Sequence, residues 1–410
     1  MSSTIKAGQS LPMSEAAQTP PTPDELVARA REIAQVLQGR GSEADKNQNV
    51  SEQTLRSMAE AGLFRILQPK KWNGYEMHPS TFFRVQMALA ESCMSTAWIY
   101  GVIGVHPFQL ALFDERAQEE VWGADDSTLV SSSYQPAAII HSAKGGFTVS
   151  GQWSFSSGCK HCDWVLLGGV IPADVSETGA PEMRTFLLPR KDYRIEDNWE
   201  VLGLKATGSH NIVVDNVFVP DYRTHKLTDG FACENPGNEV NPGALYRIPW
   251  AQIFVRSVST AAIGATRGAL EDYLKIAAIR IPSFAEKGTV HDPVAQTLVA
   301  ETESALDILQ RTLFRNMDVL YSAAEEGTPN TIEERVQFRY DSAVVVGMCA
   351  EIVTKLQHNL GGRGIYSVSP LVRRFLDLHA ARAHVANVPD KYAYNLGAVR
   401  LGLENQDFFI

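Results

Sequence analysis

The hydrophobic pattern of this chain changes its period twice, and few architectures accommodate that. Thr22-Pro-Asp-Glu25 predicts a helix start, with Thr22 as N-cap, Pro23 at the first helical position and Glu25 closing a capping box. Helical spacing then holds to about residue 124. In VSEQTLRSMAEAGLF the apolar positions Leu55, Met58 and Ala59 fall at three- and four-residue steps, and Gly62 stops the helix. A loop is predicted around QPKKWNGYE. The segment from Ser80 to about Phe113 is apolar over most of its length, which predicts burial on several sides. Near residue 128 the pattern becomes short β-rich runs punctuated by Gly, Pro and Asp: STLVSSSY, GGFTVSGQWSF, WVLLGGVI, RTFLLP and NIVVDNVFVP. Their alternation predicts a small antiparallel barrel or sandwich. GFACENPGNEVNPG reads as a long polar loop, and from Trp250 the helical period returns almost to the end. Helices, then strands, then helices define an α+β arrangement of separate layers. The expected divisions are a disordered tail (1–22), a helical domain (23–125), a β domain (126–228), a loop (229–249) and a helical domain (250–410).

Bulk properties narrow the function. A net charge of −10 argues against a nucleic-acid partner, which needs a basic surface. No apolar run approaches the ~18 residues of a membrane span, and the first residues lack the apolar core of a signal peptide. Five cysteines, an odd number in 410 residues, fit a reducing cytoplasm better than a disulfide framework.

The stretch GQWSFSSGCKHCDWVLLGGV carries the chemistry most open to argument. Cys159 and Cys162 have the spacing of half a zinc site or a redox dithiol. A structural zinc needs four ligands, however, and Cys93, Cys233 and Cys349 are each isolated. A dithiol of the thioredoxin kind belongs in a βαβ setting, which this is not. The expectation is that these thiols hold no metal. Trp153, Phe155, Ser156, Ser157 and Gly158 admit two readings: an ordinary aromatic strand, or the wall of a flat heteroaromatic cofactor, with rings to stack and small residues that allow close approach. His106 in an apolar helix, His379 and His384 near a helix end, and Ser131 to Ser133 at a strand start each have a structural reading beside a catalytic one. Gly361-Gly-Arg-Gly364 either cradles a phosphate or turns the chain.

Taken in order, the pieces resemble a known superfamily. GLKATGSHNIVVDNVFVP and NLGGRGIYSVSPLVRRFLDLH resemble the acyl-CoA dehydrogenases, and ESCMSTAWIYGVIGVH, VSSSYQP, WSFSSGC and HAARAHVAN resemble, within that fold, the two-component monooxygenases that use reduced flavin. The resemblance covers nearly all of the chain after residue 24. It implies a helical domain, a β-barrel or sandwich domain and a C-terminal four-helix bundle, usually assembled as a homotetramer. It also implies reduced FMN (FADH2 being the alternative) and O2 as cofactors, an NAD(P)H:flavin reductase as partner, and a phenolic or indolic small molecule hydroxylated through a flavin C4a-hydroperoxide. The lack of a Gly-rich βαβ fingerprint for NADH agrees with a separate reductase. By position, Ser157 is implied to hydrogen-bond flavin N5, Trp153, Phe155, Ser156 and Gly158 to line the ring, and His106, Ser132 and His384 to hold the substrate. A histidine suits a phenol proton because its ordinary pKa is about 6.5. Many acyl-CoA dehydrogenases carry a catalytic glutamate seven residues after the first glycine of the Gly-Gly motif; here that residue is Val368. Val368 has no carboxylate to serve as that base, which disfavours the rival reading of an FAD-bound acyl-CoA dehydrogenase without excluding it; oxygenation at nitrogen or sulfur is a variant. The chain departs from the hydroxylase pattern at Leu376, at QNVSE and at Asn73-Gly-Tyr-Glu76, which bears on the substrate more than on the reaction.

Overall fold

The computed structural model describes residues 20–176, 178–281 and 287–410; most of the segment expected to be a disordered tail lies outside them. The first helices are α1 (Pro23–Leu37), α2 (Gly41–Lys46), α3 (Glu52–Glu60), α4 (Pro79–Ala90), α5 (Met94–Gly104), α6 (His106–Leu110) and α7 (Glu115–Trp122). Thr22 caps α1 in the capping box read from the sequence. In α3 the buried face is Thr54, Leu55 and Met58. Ala59, expected inside, is exposed, because the stripe runs through Thr54 instead. Every residue of α5 is buried, in line with its unbroken apolar composition. Pro107 has no N–H to continue that helix, and the chain restarts as α6 at the buried His106.

Among the described residues eight strands follow: β1 (Val130–Ser133), β2 (Ala138–Ala143), β3 (Gly146–Ser156), β4 (Trp164–Ile171), β5 (Glu182–Pro189), β6 (Arg194–Glu196), β7 (His210–Pro220) and β8 (Thr224–Lys226). They form two four-stranded sheets, β1-β4-β5-β8 and β2-β3-β7-β6. The expectation of a wholly antiparallel domain fails at one ladder: β1 and β4 pair in parallel, with Ser132 opposite Leu166. The β2–β3 hairpin between them belongs to the other sheet, so the chain returns to β1 in the same direction. β4 is apolar without alternation because both faces are covered. Val165 and Leu167 pack between the sheets with Phe147, Trp153, Phe186 and Ile212, while Leu166 packs outward with Leu187 on Leu110, Phe113 and Trp122.

The remaining helices are α8 (Leu227–Ala232), α9 (Trp250–Ser257), α10 (Thr260–Ile279), α11 (Pro293–Glu326), α12 (Ile332–Ala343), α13 (Val345–Asn359), α14 (Pro370–Arg382) and α15 (Asp390–Arg400). The long bundle helices α10, α11, α12–α13 and α14 pack around a shared apolar core. The segment read as a polar loop, 229–249, is instead structured: it contains the end of α8 and two 3-10 turns, Pro236–Glu239 and Ala244–Arg247. Its asparagines serve the interior. Asn241 donates to the Ala111 carbonyl at 2.9 Å, and Asn235 accepts from the buried His225 at 2.8 Å. Among the described residues no helix is long and apolar enough to cross a membrane.

Candidate active site

Residues from all three layers converge where α5, α6, the end of β3 and the turn after α14 meet. A β-bulge between Trp153 and Ser156 re-aims β3 there, and Phe155 takes a left-handed φ of 65° within it. On one side of the bulge the Trp153 indole is wholly buried between the sheets, with Nε1 donating to the Gly168 carbonyl at 2.8 Å. It is therefore part of the sandwich core and does not join the cluster formed by the residues after the bulge. Phe155 is 60% exposed and meets Trp199 edge-on, with ring centroids 6.0 Å apart. Ser156 is buried, with its hydroxyl 3.4 Å from that of Ser131, and the neighbouring Ser133 hydroxyl donates to the Ser154 carbonyl at 2.7 Å. Gly158 follows at φ 69°, a conformation that favours glycine, and its N–H donates to the Thr207 carbonyl at 2.9 Å.

Ser157 sits in a polar chain that the sequence did not announce. Its hydroxyl lies 2.7 Å from that of Ser209, which lies 2.7 Å from that of Thr207, and it accepts from Trp98 Nε1 at 3.3 Å. The Trp98 ring in turn meets His384 edge-on at 5.7 Å. Trp98, Thr207 and Ser209 stood inside segments whose resemblance was legible, but contacts across 50 or more residues are not. The turn that carries Thr207 and Ser209 is held from the bundle: Leu204 N–H donates to the buried Asp377 carboxylate at 2.6 Å.

The backbone fixes the tautomers of both site histidines. His106 Nδ1 lies 2.6 Å from the Val130 carbonyl, an obligate acceptor, so Nδ1 carries the proton and Nε2 accepts from the Ser132 hydroxyl at 2.9 Å. His384 is the reverse. Its Nδ1 accepts from Ala386 N–H at 3.2 Å, which leaves the proton on Nε2 as a donor. Burial lowers the pKa of each to about 4, with the nearby Arg339 guanidinium adding to the effect at His384. The sequence-based expectation of a histidine titrating near pH 6.5 is thus corrected, because both rings lack the solvation their charged forms need. Beside His106 lies an aromatic wall: Tyr134, whose hydroxyl donates to Gln109, packs edge-on against Phe254 at 5.0 Å. His379 is remote in role, meeting Thr354 and Phe375.

Three buried imidazoles, His106, His225 and His384, are lowered to about 4, while burial raises Asp377 to about 6. The histidines give stability that is fully present above their unfolded pKa, about 6.5, and is lost as the pH falls toward 4. Asp377 works the other way over part of that window, since it holds its proton longer when folded. For these four groups together, unfolding takes up about two protons near pH 5, so their contribution to stability should fall as the pH drops from about 6 toward 4. Denaturant midpoints measured across that range check this; a flat profile would contradict it.

Cys159 and Cys162 are both buried and their thiols face different carbonyls, Gly208 at 3.8 Å and Gly158 at 3.6 Å. Burial raises both pKa values, that of Cys159 to about 11. His161 between them bonds Asn49 at 2.9 Å. No cluster of three or more His, Cys, Asp or Glu suited to a metal occurs among the described residues. The double change Cys159→Ser, Cys162→Ser should leave bound metal, measured by elemental analysis, as in the parent, at a stability cost of about 1–3 kcal/mol. Stoichiometric zinc in the parent, lost in the variant, would reverse this.

A helical layer, a two-sheet sandwich and a helical bundle meeting at one buried polar cluster define an enzyme of the acyl-CoA dehydrogenase fold. The family models for the N-terminal and C-terminal domains of acyl-CoA dehydrogenase match residues 21–122 and 257–389. The chain is 35% identical to the flavin-dependent monooxygenase oxygenase subunit HsaA of Rhodococcus jostii, over 91% of this chain and 97% of that protein. It is 28% identical to the FADH(2)-dependent resorcinol hydroxylase oxygenase component of a Rhizobium species, over 92% and 94%. The crystal structure of a 3-HSA hydroxylase from Rhodococcus superposes with a TM-score of 0.90 at 34% identity, covering 94% of this chain and 99% of that one. The chain belongs to the flavin-dependent monooxygenases, as an oxygenase component.

Proposed function

We propose that the protein hydroxylates an electron-rich aromatic ring, a phenol or an indole, using reduced FMN delivered by an NAD(P)H:flavin reductase. The observation that carries the substrate class is the pair of histidines with opposite, backbone-fixed tautomers. A phenol is both donor and acceptor. Its O–H finds an acceptor in Ser132, whose own hydrogen is committed to His106, and its oxygen finds a donor in His384 Nε2–H. Tyr134 and Phe254 supply the apolar wall. Neither histidine changes charge at neutral pH, so they orient the ring and hold its proton without becoming cations.

The residues around Ser157 fit a flavin edge. The hydroxyl keeps one lone pair unengaged, the Trp98 indole lies beside it, and Phe155 and Trp199 offer partly exposed aromatic surface. Bound reduced flavin supplies the activation of dioxygen; the chain supplies a dry, apolar surround that slows loss of oxygen as peroxide. The dehydrogenase alternative is disfavoured at the position after the Gly-Gly motif, since Val368 is 90% exposed on a turn and has no carboxylate. Ile365, Tyr366 and Val368 together form an exposed apolar patch, which supports burial between subunits of a homotetramer.

Oxygen-dependent product analysis with enzymatically reduced FMN against a panel of phenols, indoles, amines and thioethers tests the reading. Ring hydroxylation of a phenol or an indole is expected, with a rate that does not titrate through His106 or His384 between pH 6 and 8. Turnover confined to amines or thioethers would overturn it.

A further inference from the structure

Hydrogen counting along the buried hydroxyl chain gives it a direction. Thr207 Oγ1 lies 2.9 Å from the Leu204 carbonyl, which can only accept, so the one hydroxyl hydrogen of Thr207 is committed there. The contact of 2.7 Å between Thr207 and Ser209 must then have Ser209 as donor. With that hydrogen committed, the contact of 2.7 Å between Ser209 and Ser157 must have Ser157 as donor. Ser157 has no second hydrogen. It already accepts from Trp98 Nε1, a group that can only donate, so what it has left is a single lone pair. The anchor of the chain is firm: Leu204 is held at φ 53° by its N–H bond to Asp377, and its carbonyl also receives Trp199 Nε1 at 3.1 Å.

We propose that Thr207 and Ser209 are positioning residues that lock Ser157 as an acceptor, so that the site selects reduced flavin, whose N5 bears a hydrogen, over oxidised flavin, whose N5 presents a lone pair. The proposal rests on Ser157 facing flavin N5. Reduced flavin completes the chain with one more N–H donor. Oxidised flavin sets two lone pairs against each other, and the chain cannot reverse without breaking the Thr207 bond to Leu204. The selectivity thus comes from residues that need not touch the flavin at all.

The test is anaerobic titration of the full-length protein with oxidised FMN and with chemically reduced FMN, taking the ratio of the two dissociation constants. Thr207→Val removes the first hydroxyl and frees Ser209 to donate to Ser157, which can then turn its hydrogen outward. Ser209→Ala frees Ser157 directly. Either change should reduce the preference for reduced FMN about tenfold, chiefly by tighter binding of oxidised FMN, as expected for one hydrogen bond gained. Thr207→Ser, which keeps the hydroxyl, should retain the parent ratio. Loss of folding in Thr207→Val leaves Ser209→Ala to decide, since that change removes only one small buried group. If Ser157→Ala shifts the ratio while Thr207→Val and Ser209→Ala do not, the directional chain is refuted and the placement of Ser157 stands. If Ser157→Ala leaves both constants unchanged, Ser157 does not meet the flavin, and the selectivity proposal falls with that placement.

Discussion

Ser157→Ala should convert the protein from a hydroxylase into a wasteful oxidase. On the proposed placement, Ser157 is the hydroxyl that would meet the flavin edge, supported on one side by Trp98 and on the other by Ser209. Alanine would remove that proposed bond to the flavin and leave the Trp98 N–H without its acceptor. A net loss of about 1–1.5 kcal/mol in the barrier to peroxide release corresponds to roughly a tenfold faster leak. Oxygen consumption with reduced FMN should persist, hydrogen peroxide should account for most of it, and little product should form even with substrate saturating. Peroxide and product measured in the same reaction check this. Coupling as tight as in the parent would mean that Ser157 has no part in retaining oxygen. A separate cost of about 1–3 kcal/mol in stability, from the orphaned indole N–H, should appear in denaturation whatever happens to coupling.

His384→Asn should fail in a different way. His384 keeps Nε2–H free to donate while its other nitrogen is tied to Ala386, and on the proposed reading that hydrogen goes to the substrate oxygen. Asparagine keeps a polar group but shortens the reach, so the ring is no longer held against the reacting atom. Loss of such positioning and hydrogen bonding is worth on the order of 10²-fold in the rate of product formation. The leak of peroxide in the absence of substrate should stay at the parent value, because His384 acts only on the bound ring. Stopped-flow mixing with oxygen, with and without substrate, separates the two variants. His106→Asn and Ser132→Ala should group with His384→Asn, since Ser132 owes its orientation to His106. If His384→Asn leaks peroxide without substrate as fast as Ser157→Ala, the division of labour between flavin side and substrate side is wrong.

How far the fold and the site were legible depends on whether the signal was local. The capping box at Thr22 and the burial of α5 follow from neighbouring residues, and period alone separated helical from β layers, whereas the break that restarts the helix at His106 was not read from the sequence. The parallel ladder of β1 on β4 was not legible, because a strand's composition does not name its partner. Residues 229–249 looked like a solvated loop for a related reason: Asn235 and Asn241 are polar, yet each satisfies a buried group contributed by distant chain. At the site, the motifs named Ser157, His106, Ser132 and His384; in the structure His106 meets Ser132 directly, and Ser157 reaches His384 through Trp98. Trp153 shared a motif with Ser157 but lies on the other side of a bulge, in the sandwich core, and a bulge leaves no mark in the alternation around it. The direction of the Thr207–Ser209–Ser157 chain depends on which carbonyl Thr207 meets, so only the folded backbone could supply it.

Product formed under isotopically labelled dioxygen tests the central claim most directly. The protein should be mixed with NADH, a flavin reductase, FMN and a phenol under 18O2, and the product examined by mass spectrometry. Flavin-dependent ring hydroxylation requires one labelled oxygen atom per product molecule, on the ring, and no product when the reductase or the flavin is left out. A product without label would contradict it. So would a protein that, as isolated, carries tightly bound FAD and passes electrons from an acyl-CoA to a dye with no reductase present.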